Sequence, residues 1–99
     1  MRIIGGNHKG RSIPVPPDFK ARPTTDFAKE ALFNVLDSEY EFEDLKVLDL
    51  FSGTGSISYE FASRGAGRVW SVEMNQQYSA FIKTTAAKIG FSNITAVHH

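Results

Sequence analysis

The stretch VLDLFSGTGS, Val47 to Ser56, joins an apolar run to a set of small residues around Gly53 and Gly55. Asp49 sits inside that run, and a second acid, Glu73, follows Gly55 by eighteen residues. Glycines carry no Cβ, so they let backbone amides approach a ligand, and a helix opening just beyond them favours anionic groups. An acid at the Glu73 spacing accepts hydrogen bonds from two ribose hydroxyls. Together, loop and acid point to a ligand that contains a nucleoside.

The dinucleotide fingerprint G-x-G-x-x-G needs a third glycine where Ser58 stands, and Asp49 is poorly suited to lie beside a pyrophosphate. S-adenosylmethionine carries an ammonium, a sulfonium, a carboxylate and a ribose, and fits better. In that reading Asp49 faces the ammonium, the loop amides meet the carboxylate and Glu73 holds the ribose. The simpler alternative is an aspartate that caps the following turn.

These residues need a scaffold, and the flanking pattern supplies one. LKVLDLF and RVWSVEM are short apolar runs that read as buried strands, and NITAVHH begins a third. Between them SISYEFASRGAG places Ile57, Phe61 and Ala62 on one helical side. NQQYSAFIKTTAAKIGF lines up Tyr78, Phe81, Ile82, Thr85, Ala86 and Ile89, with Asn75 at its start and Gly90 past its end. Upstream, Thr24, Thr25 and Asp26 offer capping oxygens to a helix from about Asp26 to Asp37, with Ala28, Ala31, Leu32, Val35 and Leu36 at helical spacing. The order β-α-β-α-β predicts an α/β fold with a parallel sheet, in which ligands bind beyond the carboxyl ends of the strands. RIIGGNHKGRSIPVP reads as a β-hairpin or arm, and the prolines of PVPPDF interrupt regular structure after it.

Ninety-nine residues with 41% apolar content suit one small domain rather than a disordered chain. The absence of cysteine excludes disulfides, thiolate zinc sites and cysteine nucleophiles. His8, His98 and His99 have no carboxylate at helical pairing distance, so no metal site is expected. MRIIGGNHKG lacks the apolar stretch of a signal peptide and no run reaches membrane-spanning length, so a cytoplasmic location without membrane contact is expected. Residues 1–23 hold five cations (Arg2, Lys9, Arg11, Lys20, Arg22) against Asp18, a net +4, which leaves −4 on residues 24–99. A basic arm on an acidic body points to a polyanion partner.

VLDLFSGTGSISYEFASRGAGRVWSVEMN resembles the first two motifs of Rossmann-like S-adenosylmethionine-dependent methyltransferases. With MRIIGG, KGR and RPTTDFAKEALFNVL ahead of it, the whole chain resembles the RsmD family, which methylates the exocyclic amine of a guanine in 16S ribosomal RNA. The resemblance implies a Rossmann-like methyltransferase sheet preceded by a hairpin arm at residues 1–22, with residues 23–99 as the first half of the domain. It implies a cofactor set of Asp49, Phe51, Ser52, Gly53, Thr54, Gly55, Glu73 and Met74, bordered by Arg22, Pro23, Thr24 and Thr25. It places Lys9 and Arg11 in an RNA-contacting element and makes 16S ribosomal RNA or the small ribosomal subunit the partner. Phe27, Thr85 and Asn75 depart from residues frequent in the family.

The family holds its target amine with a (Asp/Asn)-Pro-Pro-aromatic motif after a fourth strand, because an amine conjugated to a purine is a poor nucleophile that must be positioned. VPPDF at Val15–Phe19 precedes the sheet and is not that motif, so no catalytic residue is named. In the family's sheet the KVLDLF strand is central, so three strands leave it an unpaired edge, completed by further chain or by self-association with another copy. The alternatives to a guanine-specific enzyme are a non-catalytic cofactor- and RNA-binding module, a methyltransferase acting on another nucleic acid, and a nicotinamide-dependent oxidoreductase.

Overall fold

The strand-helix alternation becomes a three-stranded parallel sheet in the computed structural model, which describes residues 1–22 and 24–99. The elements are α1 (Asp26–Glu39), β1 (Lys46–Leu50), α2 (Ser56–Ser63), β2 (Arg68–Glu73), α3 (Gln76–Ile89) and β3 (Ile94–His98), with 3-10 turns at Gly6–His8 and Phe42–Asp44. Strand order is β1-β2-β3, with Asp49 opposite Ser71 and Glu73 opposite His98. His98 therefore ends the third strand. Thr25 caps α1 by accepting from the Ala28 amide, and Asn75 caps α3 by accepting from the Tyr78 amide, as their side-chain oxygens predict. Pro23 lies outside the described residues. Among those described, no helix is long and apolar enough to cross a membrane.

The core lies on one face of the sheet. Tyr59 and Ala62 of α2 meet Ile82 and Ala86 of α3 there, and Ile3 and Ile13 of the arm close over them. Each of the three isoleucines, fully removed from water, contributes about 1.5–3 kcal/mol. The arm pairs antiparallel at Arg2 and Ser12, with the Ile3 amide donating to Arg11 and the Ile13 amide to Met1. This short antiparallel pairing around the 3-10 turn is the expected hairpin arm, with one ladder bridge between its two pieces.

Three expectations about burial are corrected. β1 is buried on one face only: Val47 and Asp49 turn toward α2, whereas Leu48 and Leu50 are 63% and 55% exposed. Helix α2 is buried nearly all round, with Ser58, Tyr59, Glu60 and Ser63 inside as well as Ala62. Helix α1 buries Lys29 and Phe33 rather than Leu32 and Val35, which are exposed. Its rotation has two causes. Phe33 sits edge-on to Phe61 at 4.7 Å beside Phe42, and the Lys29 ammonium is drawn to the buried Glu60 carboxylate at 3.7 Å and to the Arg2 carbonyl.

Glu60 is the hub of that contact. Its Oε1 accepts from the Ile4 amide at 2.9 Å, and its Oε2 accepts from the Gly5 amide at 2.9 Å and from Arg64 Nε at 2.8 Å. Replacing Glu60 by Ala strands a buried ammonium and two amides, so we expect a loss of about 3–5 kcal/mol in urea unfolding of the purified protein. The double variant Glu60→Leu/Lys29→Met should recover a large part of it. A single-variant loss below about 1 kcal/mol would show that the network does not hold the arm.

Candidate ligand site at the glycine loop

β1 carries the chain from Asp49 into Phe51-Ser52-Gly53-Thr54-Gly55 and directly into α2. The Ser52 amide still donates to Val72 of β2, while its hydroxyl donates back to the Asp49 carbonyl at 2.6 Å and its own carbonyl accepts from Gly55. This tight turn needs left-handed backbone at Phe51 (φ 57°), Gly53 (φ 60°) and Gly55 (φ 92°). Gly55 is also required by space, since a Cβ there would lie 2.6 Å from the Tyr59 ring. Gly53 differs: a Cβ would meet only Ala21, at 3.9 Å, so the loop crest is open to a ligand.

Loop and acid, read separately in the sequence, are joined. Glu73 Oε1 accepts from the Gly53 amide at 2.7 Å and Oε2 accepts from the Asn75 amide at 2.8 Å. Each oxygen keeps a further lone pair for an incoming hydroxyl. Asp49 lies behind the loop. Its Oδ2 accepts from the Ser58 hydroxyl at 2.6 Å, and the Ser71 hydroxyl lies 2.8 Å from that of Ser58. A hydroxyl has one proton, so Ser71 donates to Ser58, which donates to Asp49. Ser58, noted in the sequence only for not being a glycine, thus holds one Asp49 oxygen inside the fold. Burial pushes the Asp49 carboxyl above its ordinary value, against the pull of its hydrogen bonds from Ser58, and the negative charge of Glu73 adds to the rise. Among the described residues neither acid has a cationic partner.

The N-cap of α2 makes no side-chain hydrogen bond, and with the Ser58 amide turned to the Asp49 carboxylate it is the opening amides at Ser56 and Ile57 that can meet an anion. Ser56 opens the helix, and its buried hydroxyl has no hydrogen-bond partner among the described residues. Sequence reasoning missed Ser56, Ser58 and Ser71, because serine in an apolar stretch carries no periodic signal. Phe51 and Met74 stand 89% and 75% exposed, so the site opens to solvent between two apolar lips.

The segment before α1 passes this site. Tyr78's hydroxyl accepts from the Lys20 and Ala21 amides at 2.9 Å each, which brings Ala21 beside Gly53. Arg22 follows Ala21 and is exposed, Thr24 is half-buried, and Thr25 is committed to its cap. Thr54 is buried, its hydroxyl 3.9 Å from the Met1 sulfur. Lys9 and Arg11 are not at the loop. They stand on the exposed arm, and Arg11 borders the C-terminal half of α3 near Thr84 and Lys88, about 14–20 Å down that helix from Asn75. The roles of Gly55 can be separated by comparison with Gly10, which has φ +84° but nothing within 4 Å of a Cβ. Gly55→Ala should cost about 1–3 kcal/mol more than Gly10→Ala in urea unfolding, the packing share alone. Equal losses would remove Tyr59 from the account.

Comparison with known proteins fits this geometry. The family model described as conserved hypothetical protein 95 matches residues 1–99. Ribosomal RNA small subunit methyltransferase D of Escherichia coli K12 is 37% identical over 98 residues, covering 99% of this chain and 48% of the relative. An uncharacterised methylase of Rickettsia prowazekii is also 37% identical, with 99% and 47% covered. The chain thus spans about half the length of these relatives. Among solved structures, the Escherichia coli protein yhhF superposes with a TM-score of 0.87 at 33% identity over all of this chain and 52% of its own. A hypothetical protein of Thermus thermophilus gives 0.83 at 29% identity, with 99% and 56% covered. The chain belongs to the family described as conserved hypothetical protein 95, the RsmD family whose motifs it carries.

Proposed function

We propose that this domain binds S-adenosylmethionine at the glycine loop and serves methyl transfer to ribosomal RNA, the acceptor being a guanine exocyclic amine of the small-subunit RNA, in the cytoplasm. One observation carries the cofactor reading: two carboxylates, Asp49 and Glu73, flank an open loop, and among the described residues neither is paired with a cation. A cationic ligand relieves that charge. The opening amides of α2 suit its carboxylate, the spare lone pairs of Glu73 suit two ribose hydroxyls, and Phe51 and Met74 suit the faces of an adenine. Arg22 and Thr24 follow Ala21, which lies beside Gly53, and are proposed to border the same opening. When bound, the cofactor would supply an electrophilic methyl: as the acceptor nitrogen bonds to it the S–CH3 bond would break, its electron pair staying on sulfur in a neutral thioether, and the amine proton would pass to water. The protein's residues here hold and orient, and none of them is assigned the acceptor amine. The RNA substrate is supported by the names of the relatives, with Lys9 and Arg11 as phosphate contacts.

The exposed Leu48 and Leu50 beside the unpaired edge of β1 support completion of the sheet by a further strand, supplied by more chain or by a second copy. Residues 1–99 alone should sediment as dimers or larger species; a stable monomer counts against this.

Titration calorimetry tests the cofactor reading. Glu73→Ala should weaken S-adenosylmethionine binding about tenfold or more, because a charged acceptor and the Gly53 anchor are both lost. Unchanged affinity, or equal displacement by NADH, sinks the assignment. The sign of the pH effect follows from Asp49. Burial raises its carboxyl above the ordinary value, and a cationic ligand prefers it ionised, so affinity should fall as pH drops, and should begin to fall at a higher pH than an unshifted carboxyl would give. Asp49→Asn should flatten that profile. Mass spectrometry of nucleosides from methylated ribosomal RNA then tests the guanine amine.

A further inference from the structure

We propose that the groove between the N-terminal arm and the C-terminal half of α3 seats an unstacked nucleotide of single-stranded RNA, and that the strand continues along residues 11–22 to the glycine loop. The inference rests on the reading of the domain as an RNA methyltransferase. The groove has a volume of about 170 Å³ and is lined by Ile13, Pro14, Phe81 and Ile89 together with Arg11 and Lys88. Ile13 is buried and Phe81 and Ile89 half-buried, whereas Arg11 and Lys88 are exposed, so the floor is apolar and the rim cationic. An apolar floor suits the face of a base, and cations on the rim suit the phosphates on either side of it. A base stacked within a duplex cannot present that face.

The direction of the strand follows from how residues 11–22 lie. Phe19 packs on Phe81 and Tyr78, at ring separations of 5.5 and 4.8 Å, and Tyr78's hydroxyl holds the Lys20 and Ala21 amides. The segment therefore runs lengthwise on α3, from the groove to the helix N-terminus beside Gly53. From Lys88 to Tyr78 the helix rises about 15 Å, a few nucleotides of strand. Arg11, Lys20, Arg22 and Lys88 make no ion pair among the described residues, and Asp18 is the one acid along this path.

The test uses the full-length protein and a fluorescein-labelled oligouridylate too short to pair, with anisotropy followed over a salt series. For Arg11→Gln/Lys88→Gln, the slope of log affinity against log salt should be shallower by about 1.4, which is about 0.7 for each of two single-strand phosphates that no longer meets a cation. Binding at about 0.1 M salt should weaken roughly 25-fold, the factor of about 10^1.4 that this slope implies. S-adenosylmethionine affinity and melting temperature should not move. Lys83→Gln is the control, since Lys83 lines a separate pocket with Gln76 and His98. A change of twofold or less in the double variant, an equal change in the Lys83 variant, or equally tight binding of a duplex overturns the groove. If the unaltered protein bound no S-adenosylmethionine, the methyltransferase reading would fall instead.

Discussion

The buried carboxylate of Glu60 is the constraint on which the rest of the structure depends. A charge at zero exposure is tolerable only when paired and hydrogen-bonded. Here two arm amides, the Arg64 guanidinium and the Lys29 ammonium meet that requirement, drawn from three different parts of the fold. The arm, α1 and α2 are thereby fixed to one another at a single point. Ser63 adds a second tie one turn away, donating to the Gly5 carbonyl and accepting from the His8 amide. With these ties made, Ile3 and Ile13 close the core over Tyr59 and Ile82. A segment with net charge +4 is thus carried on a largely internal set of hydrogen bonds, leaving Lys9 and Arg11 on its surface without an ion pair among the described residues.

The candidate site at the glycine loop repeats this device nearer the surface. Glu73, like Glu60, accepts from backbone amides of two separate segments, the glycine loop and the start of α3. The difference is that Glu73 retains solvent access, and hence the ability to take further donors. Loop shape, acid position and the placement of the segment at Ala21 are set by one chain of contacts, from Gly53 through Glu73, Asn75 and Tyr78 to Lys20. A change in the arm can therefore reach the loop without touching it.

The strands, the helices flanking them and the loop acid were legible in the sequence because each has a local signature: apolar runs, capping residues, and a fixed offset from Gly55 to Glu73. Lys29, Glu60, Ser58 and Ser71 were not. They are polar residues whose partners lie far along the chain, as with Glu60 and Ile4, and no periodicity marks a charge for burial. Lys29 shows the physical reason most clearly. Helical spacing favoured Leu32 and Val35 as the core face of α1, but one ion pair and one aromatic cluster turned the helix toward Lys29 and Phe33.

The apolar residues left outside were therefore not a misreading of composition. Leu32, Val35, Leu48 and Leu50 follow the patterns of buried positions, and their exposure forfeits about 1–2 kcal/mol each. Four such residues forgo several kcal/mol, comparable to the whole stability of a small domain. Leu48 and Leu50 also stand on the strand whose backbone edge is unpaired, so the apolar face and the free hydrogen-bonding groups coincide there. A strand added at that edge would satisfy the backbone groups, while Leu48 and Leu50 would need a further layer over the face they share.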